Sequence, residues 1–559
     1  MDGHAGEATL RAFGATMLDV DASDRCYLWS MRSISIILLL LLTIAHPFHG
    51  RSQQVALHDP RVLGAYVTDA DALPDGSVLF SGTYDNGQTI GGQVLSTPGQ
   101  VAGFICLRSS TGEWAWVRGI SSPVGALVHG STLSADGGII VAGTASTPLS
   151  IGNWSGDQEG DLFLAKLNMN GEPLWVLRAN NVASVQDVIS DGQGGAYISG
   201  NAASPGMMVF GNDSVPTGLG GAAFLAHAHA DGSWDWLVGM TSLAEFIPRD
   251  LVLDGLGRAV IAGSYVGYWS TIGTDTVWAN TASYFLDQVS LFVACFSPAG
   301  ETQWIASIDS SFAGQSAAYT LLAPPGEPLR VFGGGSPGIP IAGGSAGGFF
   351  LARLGYDGQW LTVANTPLGV NSAAVLSDGR MLVSSGAAAP AVVAGTPIDP
   401  GNASQVCLAG ICQMDGQWSS VVQTYGTGTS NAWIEPLPEQ GRAILYGYFD
   451  HDLWVGTDTI STQIVGAGMF MDVDYSSVGM REIGTSGMRV WPLPASDQVN
   501  LLLPSDAGRG ELSVYDAQGR TVLLSGIVGG VQHVVDLRSL RGGIYLLRCG
   551  SYSVRLIKE

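Results

Sequence analysis

A glycine that closes a short apolar run recurs seven times in this chain. The seven positions are Gly82, Gly143, Gly200, Gly263, Gly333, Gly386 and Gly447. Consecutive copies lie between 53 residues apart (386 − 333) and 70 residues apart (333 − 263). Each glycine follows β-branched, aromatic or other apolar residues, and so short an apolar run is typical of a strand buried on both faces. Glycine at its end allows a positive φ or the close approach of another backbone.

Each glycine is followed by a second apolar strand. These strands centre on Phe104, Phe163, Phe224, Phe292, Phe350, Leu408 and Phe470. In six copies a turn glycine and a tryptophan come next: Gly112 with Trp114, Gly171 with Trp175, Gly232 with Trp234, Gly300 with Trp304, Gly358 with Trp360 and Gly416 with Trp418. A repeat of this length with about four strands per copy predicts an all-β chain folded as a seven-bladed β-propeller. In that fold the aromatic side chains fill the space between blades, so we expect Trp175 to be buried.

The seventh copy lacks the Gly-Trp signal, which is what a ring closed by the two ends of the chain would give. One candidate for the closing strand is Leu63 to Val67, before the first copy. The other is Val478 to Ile483, after the last copy. The sequence leaves both open.

The copies resemble a bacterial β-propeller repeat (SBBP-type) that reads "A…DG…YVAG" followed by "FVAKLD.NG…W". The best match combines Ser134 to Gly143 with Phe163 to Leu167, Asn170-Gly171 and Trp175. The resemblance covers residues 60–480 and implies the fold; it assigns no activity, because this fold hosts many unrelated functions.

The N-terminal region predicts export. Met31-Arg32-Ser33 precedes an apolar run from Ile36 to Ile44, and a charged start with a short apolar core is typical of a secretory signal peptide. The run is too short to span a membrane. We expect translation to begin at Met31, with residues 1–30 an over-extended start. Residues 31–52 would then be the signal peptide, removed before Gln53, and the mature chain would have no transmembrane span.

Composition narrows the possible partners. The net charge is −23 and the only lysines are Lys166 and Lys558, so no basic patch is available to bind nucleic acid. The cysteines are irregularly spaced and an odd number follows the signal peptide, which predicts buried small side chains rather than a disulfide framework. The positions after the signal peptide are Cys106, Cys295, Cys407, Cys412 and Cys549.

The chain changes character after Gly487. About 70 residues of short alternating strands predict a small β-sandwich of immunoglobulin-like type at 487–559, separate from a propeller at 53–486. We expect its core to contain Val499, Leu501, Val514, Val522, Val535, Ile544, Leu546 and Leu556.

This segment resembles the C-terminal sorting domain of type IX secretion in Bacteroidetes-type bacteria. The residues that carry the resemblance are Pro492, Pro494, Ala495, Ser496 and Asp497; Asp516, Gly519 and Arg520; Leu540, Gly543 and Tyr545; and Lys558. Leu493 stands where the family has Asn between the two prolines. The resemblance implies that the type IX machinery carries the protein across the outer membrane. Cleavage of the domain then leaves the protein secreted or attached to surface polysaccharide.

Few residues in the sequence suggest a catalytic or metal-binding role. His227 and His229 put two imidazoles on one strand face, but a metal site needs a third ligand, and by repeat alignment the two occupy the ordinary strand-face positions of Lys166 and Asn168. Asp69, Asp71 and Asp75 cluster without the spacing of an EF-hand. The recurrent Asp-Gly pairs occupy equivalent turns, which favours a turn role. The sequence therefore predicts no catalytic, cofactor-binding or metal-binding residue and no cofactor.

The longest loop, from Ser264 to Gln288, predicts a binding surface. Its aromatic residues include Tyr265, Tyr268, Trp269 and Trp278, and exposed aromatics on a loop suit stacking against sugars or protein surfaces. Our leading hypothesis is a secreted or cell-surface propeller that binds a glycan or protein and catalyses nothing. The alternatives are an enzyme, since the Gly and Trp turns also resemble quinoprotein dehydrogenase propellers, and a structural adhesin or gliding-surface component.

Overall fold

The computed structural model describes residues 55–475 and 489–558 with short gaps. The gaps are 219, 268, 279–288, 309–311, 313, 377, 439–440, 456–457, 492–496, 503–508, 516–519, 529–531 and 550–551. The predicted signal peptide at 31–52 lies outside the described residues. The described part of the chain is all-β, as the sequence predicts, and contains no helix that is long and apolar enough to cross a membrane.

Short antiparallel strands follow one another along the whole chain before the C-terminal segment. The first group is β1 (Ala56–Val62), β2 (Tyr66–Ala72), β3 (Val78–Asp85), β4 (Thr89–Ile90), β5 (Gln93–Val94), β6 (Val101–Arg108), β7 (Trp114–Ser121), β8 (Ala126–Leu133), β9 (Ile139–Ala145), β10 (Leu149–Ile151), β11 (Trp154–Gly156), β12 (Leu162–Leu167) and β13 (Pro173–Asn180). The second is β14 (Val182–Ser190), β15 (Ala196–Ala202), β16 (Met207–Phe210), β17 (Asp213–Pro216), β18 (Ala222–Ala228), β19 (Trp234–Ser242), β20 (Glu245–Leu253), β21 (Ala259–Val266), β22 (Trp269–Ile272), β23 (Asp275–Trp278), β24 (Val289–Phe296) and β25 (Thr302–Ser307). The third is β26 (Ser316–Leu322), β27 (Leu329–Ile341), β28 (Gly344–Leu354), β29 (Trp360–Thr366), β30 (Ser372–Val375), β31 (Met381–Ala387), β32 (Ala391–Val393), β33 (Thr396–Ile398), β34 (Val406–Cys412), β35 (Trp418–Gln423), β36 (Tyr425–Gly426), β37 (Ser430–Pro436), β38 (Arg442–Phe449), β39 (Asp452–Val455), β40 (Asp458–Ser461) and β41 (Ala467–Asp474).

Seven antiparallel sheets with four main strands each are built from these elements. From the innermost strand outward they are sheet 1 (β2, β3, β6, β7), sheet 2 (β8, β9, β12, β13), sheet 3 (β14, β15, β18, β19), sheet 4 (β20, β21, β24, β25), sheet 5 (β26 to β29), sheet 6 (β30, β31, β34, β35) and sheet 7 (β37, β38, β41, β1). The innermost strand of each sheet contacts the innermost strand of the next, and β37 of sheet 7 contacts β2 of sheet 1. The contacts between sheets therefore run in a ring.

The first strand of the described chain completes the last sheet. β1 pairs antiparallel with β41, from Ala56 opposite Asp474 to Val62 opposite Met469. An N-terminal strand closes the set, but the predicted segment from Leu63 to Val67 is wrong by about one strand: Tyr66 already belongs to β2 of sheet 1. The alternative segment, Val478 to Ile483, lies outside the described residues.

The recurrent strand-ending glycines are explained by close approach rather than by a positive φ. A Cβ added to Gly143 would lie 2.0 Å from the carbonyl oxygen of Leu127 on one side and 2.7 Å from the ring of Phe163 on the other. The same phenylalanine contact recurs at Gly82, Gly200, Gly263 and Gly333. The predicted strands around Leu408 and Phe470 are present as β34 and β41, but there the residues opposite Gly386 and Gly447 are Cys407 and Met469, so the phenylalanine contact is absent.

Tryptophans join consecutive sheets, each through the turn glycine of the next sheet. The Trp175 ring of sheet 2 lies over Gly232 of sheet 3, and its indole Nε1 donates to the Ala230 carbonyl at 2.9 Å. We call this arrangement the Trp–Gly contact. It recurs as Trp116 over Gly171, Trp236 over Gly300 and Trp304 over Gly358, with indole bonds of 2.8 to 2.9 Å. Trp175 is half-buried rather than buried as predicted.

Small hairpins also cross from one repeat to the previous sheet. In the second, third and fourth repeats the hairpin between the second and third main strands pairs with the outer strand of the preceding sheet. The hairpin β22–β23 thus joins β19 of sheet 3. Consecutive sheets are therefore connected at their outer edges as well as at the centre.

The C-terminal segment forms two sheets of its own. Its strands are β42 (Arg489–Trp491), β43 (Gln498–Leu502), β44 (Arg509–Tyr515), β45 (Thr521–Val528), β46 (Gln532–Asp536), β47 (Gly543–Cys549) and β48 (Tyr552–Lys558). One sheet has the order β42-β43-β46 and the other β45-β44-β47-β48, and residues of both share one apolar cluster. Five predicted core residues belong to this cluster: Val499, Leu501, Val514, Val535 and Leu556.

Two parts of the predicted C-terminal core are wrong. Val522 is 38% exposed, and its neighbour Leu523 packs against the cluster instead. In β47 the cluster takes Tyr545 and Leu547, so Leu546 lies on the other face of the strand. A shift of one residue exchanges the two faces of a strand. Apolar residues occur at both odd and even positions of β47, so the sequence does not show which face is buried.

The cysteines are buried and free of disulfides, as predicted, at all five described positions. Cys26 lies outside the described residues.

The Trp–Gly contact gives a prediction for stability. We expect Trp175→Ala to lower the free energy of unfolding by about 2–3 kcal/mol, less than for a fully buried aromatic because the ring is half-exposed. Gly232→Ala should also destabilise, since its φ is 81° and an added Cβ would lie 2.6 Å from Trp175 Cγ. Because removing the ring relieves that contact, the double variant should lose less than the sum of the single losses, by about 1 kcal/mol.

The matched control is Gly257→Ala. Gly257 has a similar φ of 74°, but nothing lies within 4 Å of an added Cβ. Its effect in urea unfolding should add to that of Trp175→Ala. Full additivity of Trp175→Ala with Gly232→Ala would contradict the role assigned to the contact.

Candidate functional site

A polar cavity of about 360 Å³ lies where the seven innermost strands meet. Every one of these strands contributes to its lining. Five of the lining side chains are acidic: Asp69, Asp71, Asp187, Asp250 and Glu435. We call this space the central channel. Its position explains why the fold brings together residues that are far apart in sequence.

Three of the channel carboxylates bind the main chain of two sheets at once. Asp187 in β14 accepts from the amide of Val188 at 2.7 Å and from that of Leu251 in β20 at 2.9 Å. Asp250 accepts from Leu251 at 2.9 Å and from Leu321 in β26 at 2.5 Å. Each aspartate stands at a bulge in its strand, where the next amide turns away from the ladder. We call this arrangement a carboxylate bridge.

Asp69 makes the third bridge, from sheet 1 to sheet 2. It accepts from the amides of Ala70 at 2.9 Å and Ser131 at 2.8 Å, and Tyr446 donates its hydroxyl to the same carboxylate at 3.2 Å. These bonds occupy both carboxylate oxygens. A carboxylate used in this way stabilises the arrangement of the strands.

At the remaining junctions around the channel, other side chains bond to the main chain of the neighbouring sheet, except between sheets 2 and 3. Glu435 of sheet 7 accepts from the Ala72 amide of sheet 1 at 3.2 Å, and Ser372 of sheet 6 accepts from the Ile434 amide of sheet 7 at 2.7 Å. Thr320 of sheet 5 donates to the Asn371 carbonyl of sheet 6 at 3.2 Å. Sheet 2 has Gly130 at the bulge position and therefore no side chain there.

The channel is electrostatically unusual because its acidic groups are half-buried close to one another. Burial raises the pKa of Glu435 to about 8 and that of Asp250 to about 6. Burial, and then the neighbouring carboxylates, raise the pKa of Asp71 and of Asp187 well above the usual range. Each group is thus held toward its neutral form, which limits the like-charge repulsion that the ring would otherwise contain.

Only part of this site is visible in the sequence. Asp69 and Asp71 stand out there as a cluster with Asp75, but Asp75 caps a turn by accepting from Ser77 at 2.9 Å. The other three acidic residues of the channel were not predicted as a group. The sequence did contain a signal for this group: several repeats have an acidic residue inside their first strand, where an apolar or neutral residue is expected.

The predicted aromatic loop divides into different environments. Tyr265 was predicted to be exposed and is fully buried in β21, where its ring packs near Phe246. Tyr268 lies outside the described residues. Trp269 is half-buried and pairs in register with Trp278, which is 54% exposed. Two of the four residues therefore share one face of the hairpin β22–β23.

A groove of about 730 Å³ lies next to the turn of the same hairpin. Thr271 and Asp275 of the hairpin form one wall, and Leu237 and Val238 of β19 contribute apolar surface. Its volume is in the range of pockets that bind small ligands. The outer edge of sheet 3 thus combines a groove with a partly exposed tryptophan pair.

Sheet 3 also carries the one group of donor atoms in the described residues that is suited to a metal ion. It consists of His227, His229 and Asp235. The imidazole Nδ1 of His227 lies 2.9 Å from the Asp235 carboxylate, and His229 Nε2 lies 3.2 Å from it. The structure therefore supplies the third residue that the sequence did not show, because Asp235 faces the two histidines from the neighbouring strand.

The described sorting-motif residues lie in the C-terminal sheets. Tyr545 is buried and donates its hydroxyl to the Arg541 carbonyl at 2.8 Å, and Leu540 packs against the core. Asp497 accepts through its carbonyl from the Leu537 amide at 2.8 Å. Gly543 begins β47, Lys558 ends β48, and Arg520 is exposed. The other six positions, Pro492, Pro494, Ala495, Ser496, Asp516 and Gly519, lie outside the described residues.

The raised pKa of Glu435 predicts a pH-dependent effect of Glu435→Gln. A buried carboxyl with a raised pKa keeps a proton that the unfolded chain releases above about pH 4.3. Wild-type stability therefore falls as the pH rises from there through about 8, the folded pKa of Glu435. Glutamine stays neutral, so the variant should gain stability relative to wild type between about pH 5 and about pH 8.5.

Urea unfolding at both pH values measures this gain. Glu113→Gln, at an exposed position, is the control and should not reproduce it. A difference between Glu435→Gln and wild type that stays constant with pH would contradict the assignment.

Comparison with known proteins identifies one segment by sequence. Residues 489–559 match the family described as the secretion system C-terminal sorting domain. Curated proteins give no significant match.

Solved structures are similar only in a distant way. A protein of unknown function from Bacteroides caccae is 11% identical over 76% of this chain and 90% of its own, with a TM-score of 0.26. BamB from Moraxella catarrhalis is 14% identical over 59% of this chain and 94% of its own (TM-score 0.24). Quinohemoprotein alcohol dehydrogenase from Comamonas testosteroni is 10% identical over 80% of each chain (TM-score 0.34). The sorting tail is therefore the segment with an assigned role: residues 489–559 are a C-terminal sorting domain of a secretion system.

Proposed function

We propose that this chain is exported by type IX secretion and acts at the cell surface or outside the cell as a propeller that binds a ligand without catalysis. The observation that carries the export is the sorting-domain match over residues 489–559. The arrangement of the two C-terminal sheets around one core supports an immunoglobulin-like sandwich for this domain.

We further propose that the seven sheets are the blades of one closed seven-bladed propeller of the SBBP repeat type. The ring of contacts between innermost strands supports closure, as does the pairing of β1 with β41. Pairing the first strand with the last sheet fixes the two ends of the ring to each other.

The central channel supports a non-catalytic role. Catalytic carboxylates need a free oxygen that faces the substrate. Asp69, Asp187 and Asp250 instead place both oxygens on main-chain amides of two sheets. We attribute their raised pKa values to burial within a structural ring rather than to acid–base chemistry.

The outer edge of sheet 3 is the binding surface that we favour, and a glycan is the ligand class that suits it. Trp269 and Trp278 stand on one face of an exposed hairpin beside a groove that contains Thr271 and Asp275. Aromatic faces pack against the apolar faces of sugar rings, while hydroxyl and carboxylate groups bond to sugar hydroxyls.

Export is tested with a truncation and a fusion. A chain ending at Ser486 should fold and stay in the periplasm of a host with the type IX machinery, because it lacks the sorting domain. A reporter that carries a signal peptide and residues 488–559 should reach the surface or the medium. The same reporter without these residues is the control. Truncated protein in the medium, or a fusion retained in the periplasm, would remove the basis for the proposed location.

Ligand binding is tested on a glycan array with Trp278→Ala. We expect the wild-type protein to bind a restricted set of glycans and the variant to lose about tenfold in affinity, consistent with about 1–3 kcal/mol for the loss of one stacked ring. Tyr425→Ala is the matched control, because Tyr425 is also an aromatic residue with 54% exposure. Equal losses in both variants, or no binding by wild type, would contradict the assigned surface. A redox chromophore in the purified protein would contradict the non-catalytic role.

A further inference from the structure

The repeats allow one sheet to be compared with the next, position by position. In sheet 2, Lys166 pairs in register with Trp175; in sheet 3, His227 pairs in register with Trp236. Lys166 Nζ lies 2.5 Å from Asp136 and 2.7 Å from the Gly194 carbonyl. His227 Nε2 lies 3.1 Å from Asp191 in the same way. An ion pair at this position is therefore shared by sheets 2 and 3.

Sheet 3 adds two donor residues around this pair. The positions that correspond to His229 and Asp235 are Asn168 and Leu174 in sheet 2. Leucine cannot bind an ion, so sheet 2 has no equivalent of the added carboxylate. A structural ion pair explains His227 with Asp191, but it does not require His229 or Asp235.

From this difference we propose that His227, His229 and Asp235 bind a divalent first-row transition-metal ion, with Zn²⁺ as the representative. Their donor atoms all lie within 4.8 Å of one another. Bonds of about 2.0 Å at a tetrahedral angle place neighbouring ligand atoms roughly 3.3 Å apart. His227 Nδ1 lies 2.9 Å from Oδ2 of Asp235 and His229 Nε2 lies 3.2 Å from Oδ1 of the same carboxylate, so each imidazole is close to this distance from one of its two oxygens.

The orientation of His227 is fixed by a carboxylate on its far side. Asp191 accepts from the amides of Gln193 at 2.7 Å and Gly195 at 2.9 Å, so its position is set by the backbone. A carboxylate can only accept, and therefore His227 Nε2 must carry the hydrogen of that contact. The carboxylate–histidine pair then directs the lone pair of Nδ1 toward Asp235. Metal-binding histidines characteristically have such a carboxylate behind them.

The contact between Nδ1 and Asp235 requires a positive charge between the two atoms. With the hydrogen on Nε2, Nδ1 of a neutral imidazole is an acceptor, and so is the carboxylate oxygen 2.9 Å away. Two acceptors at this distance repel each other unless a cation lies between them. A metal ion satisfies both atoms and also takes in His229, whose Nε2 already lies 3.2 Å from Asp235.

Packing and exposure suit an accessible site. The His227 ring packs against the rings of both Tyr197 and Trp236, with centroid separations of 4.6 Å and 5.8 Å. The His227 side chain is 8% exposed, whereas that of His229 is 52% exposed. An ion can thus enter from solvent and keep one position for water or an external ligand, as in three-residue zinc sites.

The donor types limit the metal. Two imidazoles and one carboxylate suit Zn²⁺, Ni²⁺, Co²⁺ or Cu²⁺. Ca²⁺ and Mg²⁺ prefer sites made of oxygen ligands and should not compete. The site therefore belongs to a different class from the calcium loops that acidic β-proteins often carry.

The test is metal binding by the exported full-length protein, prepared without an affinity tag and freed of metal with a chelator. Isothermal titration with ZnCl₂ near neutral pH should show one ion per chain with a micromolar or lower Kd, and CaCl₂ should give no heat. Zn²⁺ should also raise the melting temperature, because an ion that binds only the folded state stabilises it. Co²⁺ should give the visible absorption of a bound ion.

The decisive variants are His229→Ala and Asp235→Asn, since both side chains are partly exposed and their loss should leave the fold intact, which circular dichroism checks. Each should weaken Zn²⁺ binding by about tenfold or more and abolish the rise in melting temperature. His58→Ala is the control: His58 also pairs with an aspartate, Asp474, at 3.3 Å, but has no second histidine. Absence of stoichiometric Zn²⁺ binding in wild type, or full binding by His229→Ala, would overturn the site and leave His227 as a structural ion-pair residue only.

Discussion

The Trp–Gly contact is the interaction on which the order of the sheets depends. A flat tryptophan ring from one sheet lies over a turn of the next, and its indole N–H bonds to that turn. The turn must carry glycine, because its φ is positive and the ring occupies the space of a Cβ. One residue pair therefore provides apolar burial, a hydrogen bond and a fixed spacing between sheets. The contact recurs at the four junctions between consecutive sheets from sheet 1 to sheet 5, and it stabilises each of these junctions.

The centre of the molecule is organised by a second, polar constraint. At the inner edge, bulges in the strands leave main-chain amides without a partner in the ladder. Asp187 and Asp250 satisfy these amides in two sheets at once. The cost is a ring of half-buried carboxylates, which the protein reduces by holding several of them toward the neutral form. At the junctions of sheet 1 with 2, sheet 3 with 4 and sheet 4 with 5, contacts at the centre and at the rim stabilise the same junction by different chemistry.

Repetition also makes departures informative. Lys166 and His227 occupy one position in two neighbouring sheets, and both pair with an aspartate of the same turn. Against that background, His229 and Asp235 stand out as residues the architecture does not need. A single sheet seen alone would have offered no such comparison. Residues that a repeat does not require are the best candidates for function in a chain whose scaffold residues are so numerous.

The sequence alone determined the all-β class, the repeated strand pattern and the sorting tail, because these depend on local spacing and on short motifs. The sequence did not correctly predict several features that depend on strand boundaries and strand register. The closing strand was off by about one strand, Tyr265 was assigned to an exposed loop, and the face of β47 was inverted. Apolar residues occur at both odd and even positions in these segments, so their periodicity does not indicate which face of the strand is buried. Only the tertiary structure could show the central channel and the position of Asp235 beside the two histidines. The channel residues are brought together by contacts between sheets, and Asp235 is brought to the histidines by strand pairing. Neither kind of proximity can be read from the order of residues in the chain.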